Sequence, residues 1–463
     1  MPKKIHILGV CGTFMGGLSI IARQKGFEVE GSDLNAYPPM SDYLRDSGIK
    51  VNNGYSIEKL NPKPDEVLIG NTLKRGVEIV EHVLNEQYRY FSGAQWLYEN
   101  VLYDKHVLAV SGTHGKTTTT SMLVKILDEC GYNPGFMIGG VSKDFGESAR
   151  LTDSKYFVIE ADEYDTAFFD KRSKFIHYHP STLIINNIEF DHADLFPSLD
   201  SIKTQFDHLL RVIPSKARVV YAGADKNVLD VIDKGCWSQK SSFGAKDQSF
   251  SPDWAYQMLE KDGSVFEVYF QNECVGKVQW DLIGDHNVSN ALAAIAAAEN
   301  IGIHPQDACK AISRFSGVKR RMDLVANNAQ CYIYDDFAHH PTAIKKSVDA
   351  LRNRVGDQKL FAIMEPRSNT MKMGTLKEEI VQAFGNADQI FIYQSPLVKW
   401  SVTEAFKGFY KPCHVYTDMD EMKLAIIQAS KKNIDNKDAT HLLIMSNGGF
   451  EGIHHTLKDA LIR

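Results

Sequence analysis

The chain has 463 residues, 43% hydrophobic and 24% charged, which is apolar material for several cores and a length that suggests about three domains. Its 52 basic and 58 acidic residues leave a formal charge of −6 with no basic stripe, which argues against a nucleic-acid duplex as partner and requires any phosphate to be held by a local site. Seven scattered cysteines with no C-x-x-C pair speak against a disulfide framework or a zinc site and for a reducing compartment.

Met-Pro-Lys-Lys runs directly into the strand-like stretch Ile5 to Val10, without the apolar core of a signal peptide. No apolar run reaches the roughly 18 residues of a membrane span, so a cytoplasmic location with no membrane partner is the expectation. Ile5 to Leu8 predicts a strand. A glycine-rich turn follows, then a helix through Ile20 and Ile21, then strands near Phe27 to Glu30 and Val67 to Ile69. Strand and helix in alternation predict a doubly wound parallel sheet. The turn, Gly9-Val10-Cys11-Gly12-Thr13-Phe14-Met15-Gly16-Gly17, spaces its glycines as G-x-x-G-x-x-x-G rather than G-x-G-x-x-G. Asp33 lies about as far downstream as the ribose acid of a dinucleotide fold. Taken alone, the turn fits NAD, UDP or mere strand–helix packing.

The pattern restarts at His106. Val107 to Val110 predicts a strand and Lys116 to about Cys130 a helix. Tyr156 to Ile159 and Thr182 to Ile185 are further strand candidates. Alternation around Asp262-Gly263, between Asp253 and Trp280, predicts antiparallel strands, and Asn290 to Glu299 an alanine-rich helix. A third unit begins near Gly317-Val318-Lys319-Arg320-Arg321. Its strand candidates are Tyr332 to Tyr334, Leu360 to Met364, Gln389 to Tyr393 and Leu442 to Met445. The expected class is therefore α/β, with domains at 1–105, 106–317 and 318–463.

The sharpest chemical signal is Ser111-Gly112-Thr113-His114-Gly115-Lys116-Thr117-Thr118, between strand and helix. Glycines permit close backbone approach to phosphate, and the helix N-terminus offers free N–H groups and a positive dipole end. Lys116 can neutralise β and γ phosphates, and the Thr117 hydroxyl can ligate Mg²⁺. The loop is shorter than G-x-x-x-x-G-K-[ST], because position 110 is Val. By itself it indicates a nucleoside triphosphate, which switches and motors also bind; a plain glycine-rich turn is the blander alternative.

Gly112 to Thr120 after its apolar strand resembles the ATP loop of the Mur ligase family. Further segments agree in order: Glu160-Ala-Asp-Glu163, Asn187-Ile-Glu-Phe-Asp-His192, Gly284-Asp-His-Asn287-Val-Ser-Asn290, Arg320-Arg321-Met-Asp323 and Asp335-Asp336-Phe-Ala-His339-His340-Pro341. The resemblance spans essentially the whole chain. Tyr37-Pro38-Pro39-Met40, Phe168 to Phe175, Glu365 to Thr370 and Ser446 to Phe450 resemble the branch that joins L-alanyl-γ-D-glutamyl-meso-diaminopimelate to UDP-N-acetylmuramate during cell-wall recycling.

The resemblance implies three domains: Rossmann-like, P-loop ATPase-like and a second Rossmann-like α/β unit. The implied activity is an ADP-forming ligase using ATP and Mg²⁺, with a UDP-sugar and a cell-wall tripeptide as small-molecule substrates. ATP would be held by Gly112, Thr113, His114, Gly115, Lys116, Thr117, Thr118, Asn287, Arg321, Asp336 and His340. Metal ligands would be Thr117, Glu160 and His192; Lys116, Glu160, His192 and Arg321 would serve the chemistry. Gly9, Gly12 and Thr13 would cradle the UDP diphosphate, with Asp33 and Asn71 as candidates for the uridine end. Arg367 and Asn369 are the candidates for the peptide, since a guanidinium grips a carboxylate bidentately. Blander readings stand beside several of these: helix capping for Asn287 and Asn290, a helix-start motif for His339 and His340, a surface cation for Arg321 and an exposed loop arginine for Arg367. The alternatives in function are a sibling ligase adding L-alanine, a folylpolyglutamate-type ligase, an NTP-driven switch, and a dehydrogenase, the last disfavoured by the glycine spacing.

Overall fold

The structure, a computed structural model, describes residues 2–36, 40–246 and 250–462. Tyr37, Pro38 and Pro39, part of one branch-specific segment, lie outside them. Five parallel strands form the first sheet: β1 (Lys4–Leu8), β2 (Glu28–Asp33), β3 (Lys50–Asn53), β4 (Glu66–Ile69) and β5 (Tyr90–Ser92), in the order β3-β2-β1-β4-β5. The chain leaves β1 for β2 and β3 on one side and returns to β4 and β5 on the other. That reversal opens a crevice at the C-terminal end of β1, where the glycine turn leads into α1 (Thr13–Gln24).

The second sheet is large and mixed. Its central strand β6 (His106–Ser111) lies between β9 (Tyr156–Glu160) and β12 (Thr182–Ile185), parallel to both. Beyond β9 come β7 (Gly135–Met137) and β8 (Ala149–Arg150); beyond β12 come β13 (Arg218–Ala222), β14 (Gln239–Ala245), β15 (Trp254–Met258), β16 (Val265–Phe270) and β17 (Glu273–Gln279). The predicted antiparallel stretch is β15-β16-β17. A separate hairpin, β10 (Asp165–Ala167) with β11 (Asp170–Ser173), stands beside this sheet. The order reverses at β6, so this strand too ends at a switch point.

From β6 the chain enters α2 (Lys116–Glu129). Met122, Leu123, Val124, Ile126 and Leu127 are all fully buried, and this helix reaches solvent only through Lys125, Asp128 and Glu129. It packs on α3 (Asp285–Glu299), where Ala291, Ala293, Ala294, Ala296, Ala297 and Ala298 let the two backbones approach closely. The sequence reading started this helix at Asn290. It starts five residues earlier, so Asn287 and Asn290 lie within it, and Gly284 rather than either asparagine is its N-cap.

The third sheet comprises β18 (Asp323–Asn327), β19 (Cys331–Asp336), β20 (Lys359–Met364), β21 (Gln389–Tyr393), β22 (Cys413–Tyr416) and β23 (Thr440–Met445), in the order β18-β19-β23-β20-β21-β22. Only β18 is antiparallel to its neighbour. The helix α4 (Pro341–Val355) follows β19. No helix among the described residues is long and apolar enough to cross a membrane.

The joints between the sheets differ in kind. Between the first and second, one apolar core runs without a break: Trp96, Leu97, Val101 and Leu102 belong to the same buried cluster as Phe175, Ile176 and Tyr178. Between the second and third the contacts are mainly polar, including Arg354–Asp262 at 2.8 Å and Lys143–Asp323 at 2.5 Å. Trp96 anchors the first-unit side of the shared core. It is fully buried, edge-on to Phe27 with centroids 5.2 Å apart, and donates its indole N–H to Glu66 Oε2 at 2.8 Å. Trp96→Ala is expected to destabilise the chain by about 3–5 kcal/mol, read as a lowered urea midpoint; a midpoint shifted no more than by a surface substitution would refute this account of the joint.

Candidate active site

Gly112 and Gly115 give the phosphate-type loop its shape. Their φ values are +132° and +82°. A Cβ at Gly112 would sit 3.1 Å from the Asn187 backbone, and one at Gly115 2.5 Å from Asn290 Oδ1. The loop is braced by the segment after β12: Thr113 N donates to Asn187 O at 3.1 Å and His114 N to Asn187 Oδ1 at 2.7 Å. Glu189 N donates to Thr113 Oγ1 at 2.8 Å. No side chain caps α2, so its first-turn N–H groups remain available to a ligand.

Lys116 folds back over this loop. Its ammonium donates to Gly112 O at 2.7 Å and lies 3.2 Å from Glu163 and 3.4 Å from Asp162. Burial works against its charge, but Glu163, Asp162 and Glu160 outweigh that and raise its pKa. Glu160 ends β9. It accepts from Thr117 Oγ1 at 3.1 Å and from Gly139 N at 2.7 Å, and burial, with Asp162 adding to it, raises its pKa. His192, in the left-handed region at φ +54°, hydrogen-bonds the Tyr164 hydroxyl through Nδ1 at 2.8 Å and lies 3.5 Å from Glu163 Oε1 through Nε2. Glu163 thus stands between Lys116 and His192.

Lys116, Thr117, Glu160, Asp162, Tyr164 and His192 line a cavity of about 630 Å³ that takes walls from all three sheets' surroundings. Thr13 and Phe14 come from the start of α1. Thr113 to Thr118, Glu160, His192 and Asn287 come from the second unit, and Arg321 and Asp336 from the third. Arg321 is half-buried, with its guanidinium carbon 4.9 Å from the Phe337 ring centroid; desolvation lowers its pKa, with Asp336 and Glu160 opposing. The blander reading, a surface cation, fits its neighbour no better: Arg320 donates to Ser446 O and Gly448 O, both at 2.7 Å. Asp336 accepts from Met322 N and Ala338 N at 2.7 Å each, which shapes the turn after β19. Two amide oxygens on the cavity wall, Asn186 Oδ1 and Asn447 Oδ1, are buried without a partner among the described residues.

Other sequence candidates lie elsewhere. His340 does not line the cavity, whereas His339 does. His340 Nε2 faces Phe190 O at 3.2 Å, and a carbonyl only accepts, so that nitrogen carries the proton. Its Nδ1 then accepts, from Thr342 N at 3.3 Å as the cap of α4 and from His114 Nε2 at 3.2 Å. Burial depresses the His114 pKa to about 4, so this ring is neutral. His114, Glu189 and His340 form a cluster across the second joint, extended by Thr342 Oγ1 donating to Glu189 at 2.5 Å. Asp33 braces the first-domain turn, accepting from Cys11 N and Asn35 N at 2.9 Å each. It, Gly9, Gly12 and Asn71 lie at the β1 crevice, apart from the central cavity. Arg367 is half-exposed and lies 3.6 Å from Glu365, over Gly448. Asn369 donates to Asp194 at 2.8 Å. Both flank the cavity without lining it.

Sequence reasoning did not single out Tyr164, Asp191 or His286, which line the cavity, or Glu163, which stands behind its wall against Lys116 and His192. All four were close to hand: Glu163 and Asp191 lie inside quoted motifs and Tyr164 follows one directly. His286 is also inside a motif, and burial, with Lys346 and Arg321 adding to it, pushes its pKa down to about 3.

Three family models match consecutive stretches: "Mur ligase family, catalytic domain" at residues 4–103, "Mur ligase middle domain" at 110–298 and "Mur ligase, glutamate ligase domain" at 320–448. The UDP-N-acetylmuramate--L-alanyl-gamma-D-glutamyl-meso-2,6-diaminoheptandioate ligase of Escherichia coli (strain K12) is 48% identical over 461 residues, covering 99% of this chain and 98% of its own. A crystal structure of a murein peptide ligase from Psychrobacter arcticus 273-4 is 43% identical, with a TM-score of 0.75 over 99% of this chain and 98% of its own. A UDP-N-acetylmuramate--L-alanine ligase of Dictyoglomus turgidum is more distant, at 32% identity over 84% of this chain and 81% of its own. With all three domain models matched in order and near-half identity along its whole length, the chain belongs to the Mur ligase family.

Proposed function

We propose that this chain joins the L-alanyl-γ-D-glutamyl-meso-diaminopimelate tripeptide to UDP-N-acetylmuramate with ATP, in the recycling of cell-wall peptide. The observation that carries it is the single cavity in which a phosphate loop, a carboxylate cluster and a third-domain arginine meet the start of α1. The full-length likeness to the Escherichia coli ligase supports the choice of substrates. In the same proposal, residues 1–105 hold the sugar nucleotide at the β1 crevice, 106–317 hold ATP, and 318–463 close on it and take the peptide.

The chemistry follows from charge. A carboxylate attacking a γ phosphate brings two anions together, and that repulsion must be offset by cations in a water-poor site. Lys116 is already charged and stands at the loop. Arg321 faces Asp336 and Glu160 across the cavity. The lactyl carboxylate of the muramate attacks the γ phosphorus, ADP leaves, and an acyl phosphate results. The peptide amine then attacks the acyl carbon, the C–N bond forms as the C–O bond to phosphate breaks, and the amine loses its proton. Residues fit Mg²⁺: Thr117 and Glu160 offer hard oxygen donors 3.1 Å apart, and the raised Glu160 pKa marks a carboxylate short of positive charge. His192 completes the proposed ligand set. When bound there, the ion neutralises charge shared by the β and γ phosphates. Enclosure by the third domain keeps water from the acyl phosphate.

The reading is tested by phosphate release from ATP with UDP-N-acetylmuramate present, comparing the tripeptide with L-alanine. Tripeptide-dependent release with a UDP-linked product of matching mass is expected. Alanine dependence would move the chain to the sibling reaction, and release indifferent to both acceptors and to the sugar would sink the ligase reading. Lys116→Ala is expected to lower ligation by at least about 100-fold with UDP-sugar binding intact, measured by calorimetry; near-normal ligation would remove Lys116 from the chemistry. His192→Ala is expected to raise the Mg²⁺ concentration for half-maximal rate by about tenfold or more, and an unchanged magnesium dependence would take His192 out of the metal set.

A further inference from the structure

The segment Phe168 to Phe175 resembles one branch of the family, yet nothing in the mechanism above uses it. Its Lys174 opens a short 3₁₀ turn (Lys174–Tyr178) whose Phe175, Ile176 and Tyr178 are sealed in the core shared by the first two sheets. The turn carries the lysine inside with it: Lys174 is 7% exposed. A buried ammonium is ordinarily paired, because desolvation without a counter-charge is costly. Among the described residues this one has neither ion pair nor hydrogen bond through Nζ. It lies instead 4.9 Å from the Phe14 ring centroid and 5.5 Å from that of Tyr164. Burial lowers its pKa, and Asp162, Asp165 and Glu163 counter that only in part.

The two rings locate the lysine. Both line the central cavity, from opposite sides of the first joint. Phe14 directly follows Thr13, at the start of α1 beside the β1 crevice. Tyr164 gives its hydroxyl to His192, at the phosphate end. Lys174 therefore lies just behind the cavity wall, against two rings that line it, at the seam between the place assigned to the sugar nucleotide and the place assigned to the γ phosphate. The group that must occupy that seam is the acceptor carboxylate, since it is tethered to the first and attacks the second. The other lysine at hand, Lys116, is engaged by Glu163, Asp162 and Gly112 O.

We propose that Lys174 is a binding residue for the lactyl carboxylate of the sugar nucleotide, the counter-charge this buried ammonium lacks. The inference rests on the ligase reading above and adds a specificity element to it. Lys174 draws in a sugar nucleotide that bears the carboxylate and gains nothing from one without it. With aromatic faces rather than water around it, a charge-assisted hydrogen bond there is strong.

The test is calorimetric titration of the full chain with two ligands, UDP-N-acetylmuramate and UDP-N-acetylglucosamine, which shares the uridine, diphosphate and acetylated sugar but lacks the lactyl group. In Lys174→Met, UDP-N-acetylmuramate affinity is expected to fall about 10- to 100-fold, while UDP-N-acetylglucosamine affinity stays within about twofold. The KM for UDP-N-acetylmuramate in ligation should rise in step. Undiminished UDP-N-acetylmuramate affinity would overturn the proposal. An equal fall for both ligands would overturn it too, because the lysine would then serve the diphosphate or the packing. Wild-type protein assayed alongside keeps the two readings apart: no ligation product from it would sink the ligase reading, whereas normal product with an unaffected Lys174→Met variant would sink only this inference.

Discussion

Much of this molecule is organised around one electrostatic problem, a knot of carboxylates with too little positive charge. Glu160, Asp162 and Glu163 leave the C-terminal end of β9 within four residues, and among the described residues only Lys116 is close enough to pair with two of them. In water such a cluster is unremarkable. At the C-terminal end of β9, desolvation makes Glu160 harder to ionise, and Asp162 adds to that. The raised Glu160 pKa and the raised Lys116 pKa are two faces of that shortage. The site is therefore built to receive cations, and the second-sheet topology explains why it is here: β6 and β9 are parallel neighbours at the switch point, so the phosphate loop and the carboxylates emerge side by side.

Around that knot the joints take opposite forms. The first and second sheets share a continuous apolar core, which fixes the β1 crevice relative to the phosphate loop. The third meets the second mainly through hydrogen bonds and ion pairs, such as His114–His340, Thr342–Glu189 and Asn369–Asp194. Polar joints of this kind exchange their partners for water at modest net cost, whereas parting an apolar core exposes it. The closure proposed for the third unit, which carries Arg321, would therefore part hydrogen bonds rather than core.

Local pattern carried much of the fold. Val107 to Val110 followed by Gly-rich sequence reads as strand and phosphate loop because apolar runs and glycine positions are properties of neighbouring residues. Likewise Tyr156 to Ile159 and Leu442 to Met445 appear as β9 and β23. What could not be read is what depends on pairs distant in sequence. Glu163 was visible as a letter in a motif, but not as the group standing between Lys116 and His192. Asn287 looked like a cap because the helix signal is weak before the alanines; Gly284, at φ +93°, is where the helix begins. His340 and His339 are adjacent, and only the tertiary turn after β19 decides which one meets the cavity. Lys174 gave no sign of burial, since a Lys-Arg-Ser-Lys stretch reads as surface until the following aromatics pull its end inside.

The placement of His114 has a thermodynamic consequence. It is a residue of the phosphate loop, two positions before Lys116, and its ring is also one half of the contact that joins the second unit to the third. A ligand that settles on the loop and shifts this imidazole alters the free energy of that joint, and the joint alters the ligand's affinity by the same factor. Loop occupancy and the position of Arg321 are thereby variables of a single linkage relation, with one imidazole as the term they share.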